Sequence, residues 1–171
     1  NPPFSLKNWT NGFDPENDEF GRFAGFGVPP QKNGDYAFLL HIVASLKTNG
    51  KAAVILPHGV LFRGNAEEDI RTELVKRGLI KGIIGLPANL FYGTGIPACI
   101  VVLDKEGAKE RKDIFRVNAA EGFVKNGNKN RLRERDIRLI IDTFTSRSEL
   151  SRYSRSVTIE EIASEKNGYN L

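Results

Sequence analysis

The chain begins with Asn1-Pro2-Pro3-Phe4. The two prolines fix φ and remove two backbone donors. Each also pushes the residue before it out of the helical region. The product is a stiff, extended turn whose carbonyls are free to accept hydrogen bonds. Asn1 adds a side-chain carbonyl beside them, and Phe4 adds a flat apolar face. Such a site suits a planar group bearing an exocyclic amine, which needs acceptors at its edge and an aromatic on its face. A proline-rich turn with no ligand is the other reading of the same four residues.

The elements that must hold this turn follow in order. Residues 8–34 read as a long irregular loop, rich in Gly and Pro and without apolar periodicity. Trp9, Phe13, Phe20, Phe23 and Phe26 are spaced along it. They either stack on bases or pin the loop to the core. Residues 35–48 read as a helix, with Asp35 as N-cap and Asn49-Gly50 as the stop. "KAAVILP" (51–57) reads as a buried strand in a parallel sheet. Asn65, with Glu68 as capping-box partner, opens a second helix that runs to about Arg77 and ends at Gly78.

Three further strands are expected at 79–87, 98–104 and 112–119. The alternation is that of an α/β sheet with right-handed crossovers. Between Leu86 and Ala98 there is no room for a crossover helix, so those two strands pair antiparallel. "KNGNKN" (125–130) reads as a mobile loop. The tail from about Leu132 to Glu165 reads as two or three helices, including the amphipathic "DIRLIIDTF" (136–144) and a Thr158–Glu161 capping box.

Composition sets the bounds. A chain of 171 residues is about one domain. One cysteine, Cys99, excludes an internal disulfide; with only two histidines, His41 and His58, a structural zinc site is disfavoured. Cys99 reads as a core thiol and both histidines as structural. No apolar run approaches the ~18 residues that span a bilayer, and no secretory signal pattern is present. A reducing cytoplasm is the expected location, with no membrane partner. The net charge of +4 permits a phosphate partner. Basic residues crowd 125–138 and 147–155, where a solvated helical face and a nucleic-acid patch are both open readings.

Taken together, "NPPFSLKNW" (1–9), "DYAFLLHIVASLKTNGKAAVILPHGVLFRGNAEEDIR" (35–71), "IIGLPANLFYGTGIPACIVVLDK" (83–105) and "YSRSVTIEEIASEKNGYNL" (153–171) resemble the adenine-N6 DNA methyltransferases. The resemblance is to the modification subunit of type I restriction–modification systems. It implies a partial Rossmann-like, S-adenosylmethionine-dependent methyltransferase fold, with a mixed sheet, a reversed terminal hairpin and C-terminal helices. The implied division is 1–120, the C-terminal half of the catalytic domain, and 121–171, a helical extension. The implied reaction is methyl transfer to an adenine flipped out of duplex DNA.

On that resemblance Asn1, Pro2, Pro3 and Phe4 are the catalytic residues. The Asn1 side-chain oxygen and the Pro2 carbonyl hold the two amine hydrogens, and Phe4 stacks on the base. Phe91 stands where the family carries a second aromatic, with Tyr92 beside it; a core position in the hairpin is the alternative for Phe91. Arg63, in "VLFRG" (60–64), either contacts phosphate or forms a salt bridge. The implied cofactor is S-adenosylmethionine. The Gly-rich turn and acidic residue that hold it in the family do not appear here, and "GFGVPP" (25–30) is no substitute, so no cofactor-binding residue is assigned. The chain alone is expected to be inactive. The implied partners are DNA, a specificity subunit and a restriction subunit. Two other functions stay open: a non-catalytic module that docks a partner, and methylation of a different amine.

Overall fold

A computed structural model describes residues 1–164 and 168–171. Its centre is a five-stranded sheet in the order β1-β3-β2-β4-β7. These strands are β1 (Lys51–Pro57), β2 (Ile80–Gly85), β3 (Ala98–Asp104), β4 (Asp113–Asn118) and β7 (Ser154–Thr158). β2 pairs parallel with β4, whereas β3 runs antiparallel to both β1 and β2. The reversed hairpin expected from the short 86–98 connection is therefore present.

The placement of β1 in a parallel pairing is corrected. β1 and β2 run the same way, but β3 lies between them and is the strand hydrogen-bonded to β1. A continuous apolar run reports burial on both faces and carries no information on strand direction. The crossover from β1 through α2 (Ala66–Lys76) leaves a gap one strand wide, and the returning β3 fills it.

Alternation along the strands divides the core into two layers. Val54, Leu56, Val101, Leu103 and Ile83 pack with Leu39, Leu40 and Val43 of α1 (Asp35–Ser45) and with Ile70 and Leu74 of α2. Ile84, Phe115 and Val117 face the other way, onto Ile140 and Phe144 of α3 (Glu134–Ser146). Each fully buried Leu or Ile contributes roughly 1.5–3 kcal/mol of transfer free energy. Gly82 of β2 sits under α3: a Cβ there would overlap the Phe144 ring and stand 2.7 Å from the Phe115 carbonyl oxygen.

Gly78 terminates α2 with φ +63°. α1 stops at Ser45, short of the expected Thr48, and Leu46 caps it in extended conformation. Asn65 is the N-cap of α2, but at φ 57° its side chain makes no capping bond.

The tail differs more. α3 and α4 (Ile159–Ala163) are helical as expected, but 154–158 is a strand that joins the main sheet antiparallel to β4. Segment 125–130 is not a loop: it belongs to the hairpin of β5 (Val124–Asn126) and β6 (Lys129–Arg131). Glu165, where the helical tail was expected to end, lies outside the described residues, as do Lys166 and Asn167 of the same 153–171 motif. Among the described residues no helix is long and apolar enough to cross a membrane.

Candidate functional site

The opening turn is held by the start of α1. Ser5 N donates to Asp35 Oδ1 at 2.7 Å, and Gly34 N donates to Leu6 O at 2.9 Å. Asp35 is fully buried. Read from sequence as an N-cap, it is instead the first residue of α1, with Gly34 at the cap position. Its carboxylate turns to Ser5 and to Arg63, whose Nη2 donates to Oδ2 at 2.7 Å. A buried carboxylate requires such partners, and this requirement outweighs self-capping.

Arg63 is half-buried between two acids, with Nε 3.1 Å from Glu67 Oε2. Of its two sequence readings, the salt bridge is what the structure contains. Arg71, fully buried, donates through Nη1 to Arg63 O at 2.8 Å and through Nε to Tyr169 O at 2.8 Å. Tyr36 Oη adds a bond to Val60 O at 2.7 Å. One polar network thus ties the opening turn to the "VLFRG" segment, α2 and the end of the chain. Burial raises the pKa of the Glu67 carboxyl above its ordinary value, and the Arg63 charge opposes that shift.

The two expected aromatics meet. The Phe4 and Phe91 rings touch edge to face, with centroids 5.7 Å apart and planes at 69°. Both pack on the α3-side core. A base between parallel rings needs about 7 Å, two van der Waals thicknesses, more than this edge-to-face spacing provides. Tyr92 is 94% exposed. Asn1 is exposed and Pro2 half-buried, which leaves the acceptor edge open to solvent.

A residue missed from sequence holds Phe91. Lys129 Nζ donates to Phe91 O at 2.7 Å, Thr94 O at 2.9 Å and Asn89 Oδ1 at 3.0 Å. Asn130 Nδ2 donates to Ala88 O at 2.8 Å. The β5–β6 hairpin is therefore a buttress under the 88–94 loop. Its signal was the dipeptide Gly127-Asn128, a two-residue hairpin turn with Gly127 at φ 59°.

The aromatics of the 8–34 loop pin it down. Trp9, Phe13 and Phe23 pack on one another, and Trp9 Nε1 donates to Pro30 O at 2.9 Å. Phe26 lies under the Arg77 guanidinium at 4.1 Å, whereas Phe20 is 70% exposed. His58 N donates to Pro97 O at 2.9 Å, which docks β1 on the 86–97 connection. Cys99 is buried, and burial pushes its thiol up to about 12. Among the described residues no cluster of His, Cys, Asp and Glu could hold a metal ion.

Comparison with known proteins places this arrangement. The model of the N-6 DNA methylase family matches residues 1–171. The chain belongs to the N-6 DNA methylase family. Over 179 residues it is 35% identical to the type I restriction enzyme MjaVII methylase subunit of Methanocaldococcus jannaschii, covering 100% of this chain and 30% of that protein. It is 34% identical to the MpnII methylase subunit of Mycoplasma pneumoniae, covering 95% of this chain and 30% of the relative. The crystal structure of a type I restriction–modification system methyltransferase subunit from Streptococcus thermophilus matches with a TM-score of 0.87 at 38% identity, over 99% of this chain and 35% of that one. The chain thus spans about 30% of the length of these curated relatives.

N-6 DNA methylases are S-adenosylmethionine-dependent methyltransferases in general. None of the described residues forms a strand running into a Gly-rich turn that opens a helix. Gly25 and Gly27 lie in the irregular loop, and a Cβ on Gly25 would meet the Arg77 side chain rather than open space. These residues of the N-6 DNA methylase chain do not fit the methionine end of the cofactor.

Proposed function

We propose that this chain forms the adenine-binding side of a site-specific DNA adenine-N6 methyltransferase within a type I restriction–modification system. The observation that carries the reading is the meeting of Phe4 with Phe91 at the end of a turn anchored by Ser5 to Asp35. Conjugation with the ring makes the adenine amine a poor nucleophile. The Asn1 side-chain oxygen and the Pro2 carbonyl accept its two hydrogens, draw the nitrogen toward pyramidal geometry and stabilise the positive charge that develops there. Phe4 stacks on the flipped base, and Phe91 supplies the second face once the rings part. Neither step calls for a strong general base among the residues here.

S-adenosylmethionine is the methyl donor in this reading, held by parts of the subunit other than the residues described. DNA, a specificity subunit and a restriction subunit are the proposed partners, since the relatives are methylase subunits of type I restriction enzymes. The test is transfer of a labelled methyl group by the complete subunit with its specificity partner. Asn1→Ala is expected to lower incorporation into DNA by about 100-fold or more, the loss seen when one preorganised transition-state contact is removed. Label appearing in protein rather than DNA would make a different amine the substrate. Unchanged incorporation into DNA by the variant would remove the turn from catalysis.

A further inference from the structure

A cleft of about 650 Å³ opens at the carboxyl ends of β1, β2 and β4, where open α/β sheets bind ligands. Arg116, Arg152 and Arg155 line it, with Glu149 as its acidic member. The Glu149 carboxylate already accepts from Ser156 N at 2.8 Å. Arg116 and Arg155 stand directly opposite each other on β4 and β7. Like charges in that register repel. Arg155 is answered by Glu161, at 2.7 Å. Arg116 forms no ion pair among the described residues: its Nη2 donates to the Asn170 carbonyl at 3.1 Å, while its Nε is buried with no hydrogen-bond partner. Among the described residues no carboxylate lies within salt-bridge distance of Arg116 or Arg152. Arg152 is exposed and held in the left-handed region at φ 61°, on the turn that walls the cleft.

We infer that this cleft is a phosphate-binding subsite, and that its ligand is a backbone phosphate of the DNA on which the methyltransferase acts. An unpaired buried N–H and two guanidinium groups with no ion pair among the described residues are what a phosphodiester satisfies at once: oxygen acceptors for Arg116 Nε and negative charge between Arg116 and Arg152. Burial and the facing Arg155 charge lower the pKa of Arg116, with Glu161 opposing the shift. A bound anion relieves both causes. The cleft lies at the same end of the sheet as the turn that Asp35 and Arg63 anchor. The DNA assignment rests on the methyltransferase reading; the phosphate site does not.

The experiment has two arms. In the first, the chain with ¹⁵N-labelled arginine is titrated with inorganic phosphate while arginine Nε–H resonances are followed. The Arg116 resonance is expected to shift saturably, and an unmoved resonance would overturn the site. In the second, binding of a short DNA duplex is measured by fluorescence anisotropy across a salt series. Arg116→Gln and Arg152→Asn are each expected to weaken binding roughly 3–10-fold, independent of sequence, and to reduce the salt slope by about one. Asparagine suits the left-handed turn at 152, so that variant keeps the fold if the strand variant does not. A phosphate shift with wild-type DNA binding in both variants would overturn the DNA assignment and leave a site for free phosphate. A chain with the phosphate shift but no DNA affinity at all would instead sink the methyltransferase reading.

Discussion

Replacing Asp35 with alanine removes the acceptor of Ser5 N–H and leaves Arg63 facing only Glu67. Breaking one partner of a buried ion pair is strongly destabilising. Because Arg63 keeps its second acid, a loss of about 2–3 kcal/mol is expected in chemical denaturation. Glu67 responds to pH in a defined direction. Its folded pKa lies above the ordinary value of 4.5, so between those two values the folded state holds a proton that the unfolded state has released. Its charge is therefore a destabilising contribution at neutral pH, relieved as pH falls through the raised value. The stability of wild type minus that of Glu67→Gln should increase on acidification across that window; a flat or opposite difference curve would contradict the assignment. Lys129→Met removes three bonds to the 89–94 loop. It is expected to lower kcat of the complete enzyme by about 10- to 100-fold, since small misplacements of a positioned group cost that much. Amide exchange at Phe91 and Gly93 should rise in parallel.

At the scale of elements, sequence and structure agree where one physical signal dominates. β1 and β3 were legible to the residue, because apolar runs bounded by Gly or Pro leave few alternatives. β7 was not. Its sequence Ser-Arg-Ser-Val-Thr buries only Ser154 and Val157, as an edge strand does, and the Thr158 cap that follows suggested a helix. That cap is real, with Thr158 Oγ1 accepting from Glu161 N at 3.1 Å, but it opens a helix of only five residues. Strand direction at β1 was illegible for a different reason, since burial pattern and polarity of pairing are independent. Of the candidate site, the pairing of Phe4 with Phe91 came from the family resemblance. The roles of Asp35 and Lys129 depend on contacts 30 and 38 residues apart, beyond any local pattern. The fit between α3 and the sheet is tested at Gly82. Gly82→Ala must displace both Phe144 and the Phe115 carbonyl, and a loss of about 1–3 kcal/mol is expected from such overpacking. Gly82→Ala with Phe144→Leu should recover part of it if the ring is what yields.

In the proposed reading the whole chain presents one half of a reaction. The acceptor turn, the aromatic pair and their buttress all lie in it, fixed by a network that reaches from Ser5 to Tyr169. The strand, Gly-rich turn and helix that would cradle the donor's methionine end do not occur among the described residues. A site of exposed acceptors has little with which to hold a sulfonium cofactor, because acceptors alone recognise its amino groups without enclosing its apolar surface, and ligand sites draw most of their affinity from such enclosure. The 171-residue chain is therefore expected to bind S-adenosylmethionine with a dissociation constant above about 1 mM, equivalent to less than ~4 kcal/mol. Adding the remainder of the subunit in trans should then restore both cofactor binding and methyl transfer, with Asn1→Ala restoring only the first. Micromolar binding to the chain alone in a calorimetric titration would show that a donor site is present in it, and the division of labour argued from the sheet would fail.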